Sequence, residues 1–184
     1  RELLNVVNSG DEHVAGVLLL LYPEKRKLST VLMQRPQYDG VHGGQISLPG
    51  GKREPDDDTI FDTALREAQE EIGIVPANVR LLGTLTTLYI PPSNFLVTPV
   101  IGYCARRPDF RSEPSEVEAI IELEVEKLLE PGAIQHKEVK TALGLSLEVP
   151  SYYIHQKIIW GATAMILSEF LELVQEWLSD GDDK

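Results

Sequence analysis

The chain has 184 residues, with 17 Lys and Arg against 29 Asp and Glu, a formal net charge of −12 and 42% hydrophobic residues. That length suits one domain with a substantial core, and the acidity excludes non-specific nucleic-acid binding, which needs a basic face. The longest apolar run, Val14–Tyr22, is too short to span a bilayer, and a lone cysteine, Cys104, excludes an intrachain disulfide.

In chain order, Val14–Leu21 and Thr30–Arg35 read as two strands joined by a polar turn over Pro23–Ser29. A Gly-rich loop follows from Gly40 to Gly51, broken by the apolar Ile46–Leu48. The next element is a helix from about Thr59 to Ile72. Its apolar residues Phe61, Ala64, Leu65, Ala68 and Ile72 fall on one stripe, and Gly73 stands where a helix end favours positive φ. Val79–Leu88, Phe95–Cys104 and Ala119–Leu123 read as strands, and Val125–Leu129 as a short helix. Val139–Ile154 suggests further strands, and an amphipathic helix over about Ala162–Leu178 closes the fold. Cys104 lies in an apolar strand and reads as a core residue. The apolar residues of the last helix, Ile166, Leu167, Phe170, Leu171, Val174 and Leu178, either dock on the sheet or extend a dimer interface, so monomer and homodimer both stay open. The expected architecture is one α/β domain over residues 1–184, a mixed β-sheet between helices. Its core runs over about 14–178, with 1–13 and 179–184 as flexible ends. No signal peptide is visible, which reads as cytoplasmic with no membrane partner, but the sequence begins at Arg1 rather than Met, which leaves any targeting segment before it open.

The helix over Thr59–Ile72 carries the chemistry. Glu67, Glu70 and Glu71 gather within an arc of roughly 100° beside the apolar stripe. Like charges at i,i+3 and i,i+4 destabilise a helix, and so do acids near its C-terminus. A divalent cation reverses both effects, because Mg²⁺ and Mn²⁺ take hard carboxylate oxygens and leave positions for phosphate. The plain alternative is a solvated acidic face with Arg66 as a surface ion-pair partner. Upstream, Leu48-Pro49-Gly50-Gly51-Lys52 is a strand-to-loop passage whose glycines let the backbone approach a ligand.

Together these residues resemble the Nudix box, a glycine, a loop, a helix and the block R-E-U-x-E-E-x-G-U, where U is apolar. Here the block is Arg66-Glu67-Ala68-Gln69-Glu70-Glu71-Ile72-Gly73-Ile74, with every fixed position filled. The loop is one residue longer than usual, with Gly51 and Arg66 fifteen apart, and counting back from Arg66 sets the acid that precedes the helix at Asp58. The segment Arg35–Gly51 resembles the coenzyme A pyrophosphatase branch at Arg35, His42, Gly44, Gln45, Pro49, Gly50 and Gly51. It departs at Gly40, where that branch often has a second arginine, and at Pro36 and Leu48. Ile159–Ala164 is similar to the start of the branch's C-terminal helix.

The resemblance implies a Nudix-type α/β/α sandwich that hydrolyses the diphosphate of a CoA-like nucleotide to 4′-phosphopantetheine and adenosine 3′,5′-bisphosphate. It implies Mg²⁺ or Mn²⁺ held by Glu67, Glu70 and Glu71, one of which serves as the base, with Glu116 as a distant further ligand. Arg66 would orient a box glutamate. Arg35, His42, Gln45, Gly50, Gly51 and Lys52 would bind substrate, with Arg35 and Lys52 on the diphosphate. Other substrates for the same chemistry are ADP-ribose, NADH or a dinucleoside polyphosphate. A further reading is a nucleotide-sensing module without catalysis, though all the box glutamates are present.

Overall fold

A computed structural model describes residues 10–37, 44–140, 146–154 and 156–182. The chain opens with β1 (His13–Glu24) and β2 (Lys27–Gln34), an antiparallel hairpin in which Glu24 pairs with Lys27. The expected turn over Pro23–Ser29 is thus only two residues long. Lys25 and Arg26 both take positive φ, 49° and 67°, as the tight turns that suit twisted strands demand. Two short strands follow, β3 (Ile46–Ser47) on β2 and β4 (Gly50–Lys52) on β1.

The helix α1 (Ile60–Ile72) begins at the capping residue Thr59. The Thr59 hydroxyl accepts from the Asp62 amide, and the Asp62 carboxylate accepts from the Thr59 amide, a reciprocal box that satisfies two otherwise orphan donors. The helix ends on Gly73 at φ 71°, as its position predicts. The expected strand Val79–Leu88 is two strands, β5 (Arg80–Thr84) and β6 (Leu88–Ile90), both on β7 (Phe95–Tyr103). The chain leaves the ladder between them because Thr86 donates its amide and hydroxyl to the Glu169 carboxylate. Next come β8 (Ala119–Glu124), paired with β2, and α2 (Val125–Leu129).

A separate three-stranded sheet then forms from β9 (Ile134–Lys140), β10 (Ser146–Ile154) and β11 (Lys157–Trp160). The sequence anticipated strands there but not a second sheet. The closing helix α3 runs over Gly161–Asp182. The stretch expected to be a flexible end is therefore helical as far as Asp182, with Ser179 donating to the Gln175 carbonyl. His13 likewise belongs to β1, while residues 1–9 and 183–184 lie outside the described residues.

The large sheet is mixed, since β1 runs parallel to β7 and antiparallel to β2. Its strands alternate between two cores, as period two requires. Leu18, Leu20 and Tyr22 of β1 and Val31 and Met33 of β2 face α1. Leu19, Leu21 and Leu32 face the other way, against Leu128 of α2, Tyr152 and Ile159 of the small sheet, and Ile166, Leu167, Phe170 and Leu171 of α3. The result is the expected α/β/α sandwich. Cys104 is buried, as a core residue should be. The apolar stripe of α3 docks on the sheet, except that Leu178 is 48% exposed.

Candidate active site

The site forms where α1 lies against β4. Glu71 is 2% exposed, and its carboxylate accepts from the Gly50 amide at 2.7 Å. Gly50 sits at φ 147°, and a Cβ there would stand 2.4 Å from the Gly16 carbonyl. At Gly51 a Cβ would stand 2.4 Å from the Glu67 carboxylate. The two glycines thus let the backbone lie directly against both acids of the helix.

The cations around them are committed in different ways. Arg35, following β2, donates to the Gly50 carbonyl at 3.3 Å and stands 3.7 Å from Glu71 Oε1. Arg66 reaches Glu67 at 3.0 Å and Glu70 at 3.3 Å through Nη1. Its Nε and Nη2 grip both oxygens of Asp57 at 3.0 and 2.9 Å, and Nη2 also donates to the Lys52 carbonyl. The fork that was expected to orient a box glutamate is thus itself fixed by Asp57. Asp57 also accepts from the Thr63 hydroxyl and the Glu54 amide and is 6% exposed. The Arg66 guanidinium holds the Asp57 carboxyl well below the ordinary range.

Counting back from Arg66 pointed to Asp58, but it is Asp57 that meets Arg66. Asp58 is exposed, and the longer loop brings its neighbour Asp57 onto Arg66. The signal for Asp57 was present in the one-residue insertion, but the spacing alone could not say which acid turns inward.

Burial pushes the Glu71 carboxyl up to about 8, helped by the charges of Glu67 and Glu116 and opposed by the Gly50 amide and Arg35. Burial also raises Glu67, with Arg66 opposing it and Glu70 and Glu116 adding to it. Glu116 is exposed, on a loop tied to the end of α1 by the Glu113 amide donating to the Glu71 carbonyl at 3.0 Å. Four carboxylates therefore repel one another at one end of α1. Among the described residues no three His, Cys, Asp or Glu are gathered as a ready metal cage. Glu67 and Glu70 are on Arg66, and Glu71 is on Gly50. The donors nonetheless fit a hard divalent cation in kind and in charge, because such an ion offsets the burial and the lesser mutual repulsion that raise Glu67 and Glu71.

A groove of about 480 Å³ opens beside Gly50. Arg35, Gln45, Gly51 and Lys52 line its polar side, and Ile90, Phe95, Trp160 and Ile166 are among its apolar walls. Of the residues expected to bind substrate, Arg35, Gln45, Gly50, Gly51 and Lys52 thus meet in one place. His42 lies outside the described residues. Sequence reasoning missed the far wall from β6 to β7, whose only prior signal was apolarity, and it read Trp160 at the end of β11 as part of a helix start rather than as a wall of the groove.

A family model for the NUDIX domain matches residues 12–143. An uncharacterized Nudix hydrolase, NudL, from Photorhabdus laumondii is 32% identical over 169 residues, covering 92% of this chain and 88% of that protein. Among solved structures, the Nudix hydrolase RenU of M. smegmatis has a TM-score of 0.55 at 21% identity, covering 64% of this chain and 74% of that one. The NUDIX domain of Shewanella oneidensis NrtR, crystallised with ADP ribose, has a TM-score of 0.51 at 18% identity, covering 69% of this chain and 83% of that one. Both structural likenesses bear on the fold.

Proposed function

The chain belongs to the Nudix family, and on that premise we propose that it hydrolyses the diphosphate of coenzyme A or its derivatives, giving 4′-phosphopantetheine and adenosine 3′,5′-bisphosphate. The observation that carries the reading is that Gly50 and Gly51, against which the box acids Glu71 and Glu67 lie, line one groove together with the pre-box residues Arg35 and Gln45. Those pre-box residues belong to the segment that resembles the coenzyme A branch.

Nudix hydrolases generally use divalent metal ions. Glu67, Glu70 and Glu71, with Glu116 nearby, are the residues that would hold Mg²⁺ or Mn²⁺, which supplies charge neutralisation and an activated water. The remaining work falls to the protein's own groups. Arg66, locked by Asp57, fixes where the Glu67 carboxylate stands. Lys52, exposed at the end of β4, and Arg35 offer cationic contacts to the diphosphate. The apolar walls around Ile90, Phe95 and Ile166 take an uncharged arm and exclude bulk water. A box glutamate receives the proton of the attacking water, a contribution of roughly 10²–10⁴-fold. Among the described residues no helix is long and apolar enough to cross a membrane, which suits a substrate met in water.

The test is a panel of coenzyme A, acetyl-CoA, ADP-ribose, NADH and diadenosine polyphosphates with Mg²⁺ or Mn²⁺, with products identified by mass. The expected outcome is fastest cleavage of a coenzyme A compound, abolished by EDTA. Faster cleavage of another panel member would overturn the substrate. Nucleotide binding with no cleavage of anything would replace catalysis by sensing.

A further inference from the structure

A second cavity of about 410 Å³ lies next to the groove, lined by Gln34, Gly44, Gln45, Ile46, Lys157 and Ile158, with Trp160. Gln45, Ile46 and Trp160 line both spaces, so a ligand lying in the groove has this cavity as its neighbour. Its lining holds one charged residue, Lys157, and no acid. Near the active site, Arg35 is held by Glu71 and the Gly50 carbonyl, Arg66 by Asp57 and Glu67, and Arg53 by the Asp57 and Asp58 carbonyls. Lys157 has no carboxylate partner among the described residues. It donates to the side-chain oxygen of Gln34, whose own amide donates to Glu118. Lys137 is similarly unpaired among the described residues and sits 5.0 Å from the Trp160 ring centroid.

In a protein of net charge −12, a cavity lined by a lysine and no acid, with a second lysine over the ring of its Trp160, is suited to an anion. The diphosphate has Lys52 and Arg35 in the groove, which Lys157 does not line, so the anion at Lys157 is a different group on the same molecule.

We propose that Lys157, with Gln34 orienting it and Lys137 adding charge behind Trp160, is a subsite for a phosphomonoester carried by the nucleotide half of the substrate. For the substrate proposed above, and resting on that reading, the group is the 3′-phosphate that distinguishes coenzyme A from its dephosphorylated form. The half-buried ammonium is already held by a neutral amide, so a phosphate gains a charge-assisted contact without displacing a carboxylate. Lys157 acts as a specificity residue here and touches no reacting atom.

The experiment compares the protein with K157A and K157R. Binding of adenosine 3′,5′-bisphosphate and of 5′-AMP is measured by calorimetry in EDTA, and kcat/KM is measured for coenzyme A and 3′-dephospho-CoA. One charge-assisted contact corresponds to about a ten- to hundredfold change. K157A should weaken the bisphosphate by that factor relative to 5′-AMP and lower the coenzyme A to dephospho-CoA ratio of kcat/KM equally. K157R should restore most of both. If K157A weakens the two nucleotides alike, or if the unchanged protein binds them equally well, the subsite is overturned. Bisphosphate binding that depends on Lys157 without any cleavage of coenzyme A keeps the subsite and removes the substrate reading. Cleavage of coenzyme A that is indifferent to K157A does the reverse.

Discussion

Glu122 and Glu71 are two acids of one domain under opposite treatment. Glu122, on β8, accepts from both Nε and Nη2 of Arg107, at 2.8 and 2.6 Å, and from the Tyr22 hydroxyl at 2.8 Å. Its carboxyl is held below the ordinary range, chiefly by Arg107. Glu71 is more deeply buried, yet it has one amide at 2.7 Å and a guanidinium only at 3.7 Å. Its carboxyl is pushed up to about 8. The first acid is satisfied from within the fold and serves stability. The second is left short of positive charge behind Gly50, which lines the groove, where a bound cation can supply it.

The sharpest way to break that comparison is to neutralise each acid in turn. Glu71→Gln and Glu67→Gln should cut metal-dependent turnover by several orders of magnitude, at least the roughly 10²–10⁴-fold of a lost base. For Glu71→Gln the unfolding midpoint of the metal-free protein should hold within a few degrees, because no close native ion pair of Glu71 is lost. Near-full turnover in either variant would remove that residue from the site.

Two adjacent glycines separate fold from chemistry next. An alanine Cβ at Gly50 meets backbone, the Gly16 carbonyl at 2.4 Å and the Val17 Cα at 2.5 Å, in a strained φ as well. At Gly51 it meets only the end of a glutamate side chain, which can swing aside. Gly50→Ala should therefore cost about 3 kcal/mol of stability in urea unfolding. Gly51→Ala should cost under about 1 kcal/mol yet lower kcat by displacing Glu67. Equal stability losses in the two variants would contradict the packing described.

How much of this was legible beforehand follows from which interactions are local. The strands β1, β2 and β7, the helix α1 with its Gly73 end, and the box acids were legible because periodicity and capping are written within a few residues. The second sheet was not, since the pairing of β9, β10 and β11 adds a layer that no single strand's pattern reveals. Nor was the break at Thr86, which depends on Glu169 far along the chain. At the site, Gly50, Gly51 and the glutamates could be named from spacing. The places of Trp160 in the groove and of Lys157 in the cavity beside it could not, because both come from a hairpin remote in sequence.

The choice between Asp57 and Asp58 is a smaller and direct check. Asp57→Ala strips Arg66 of its charged anchor and should cost about 2 kcal/mol in stability. It should also lower kcat, because Arg66 then no longer holds Glu67 in place. Asp58→Ala should change either quantity little, within about 0.5 kcal/mol for an exposed side chain. If the two substitutions exchanged effects, the register of the long loop would be wrong.

The smallest effect belongs to the satisfied acid, and it is read through pH. Because the folded-state carboxyl of Glu122 lies below its unfolded value, its contribution is fully present above the unfolded value of 4.5. It is lost as pH falls through the folded-state value. Arg107→Ala removes the main cause of that lowering. Both side chains are partly exposed, Arg107 at 39% and Glu122 at 33%, so solvent screens the pair. The loss at pH 7 should accordingly be under about 1 kcal/mol. Urea unfolding of the two proteins at pH 7 and again near pH 3 should show that gap narrowing in acid, as Glu122 takes up a proton in both. A gap that stays constant between the two pH values would mean that Arg107 acts by packing on Phe110, whose ring centroid lies 5.3 Å from its guanidinium carbon, rather than through the charge of Glu122.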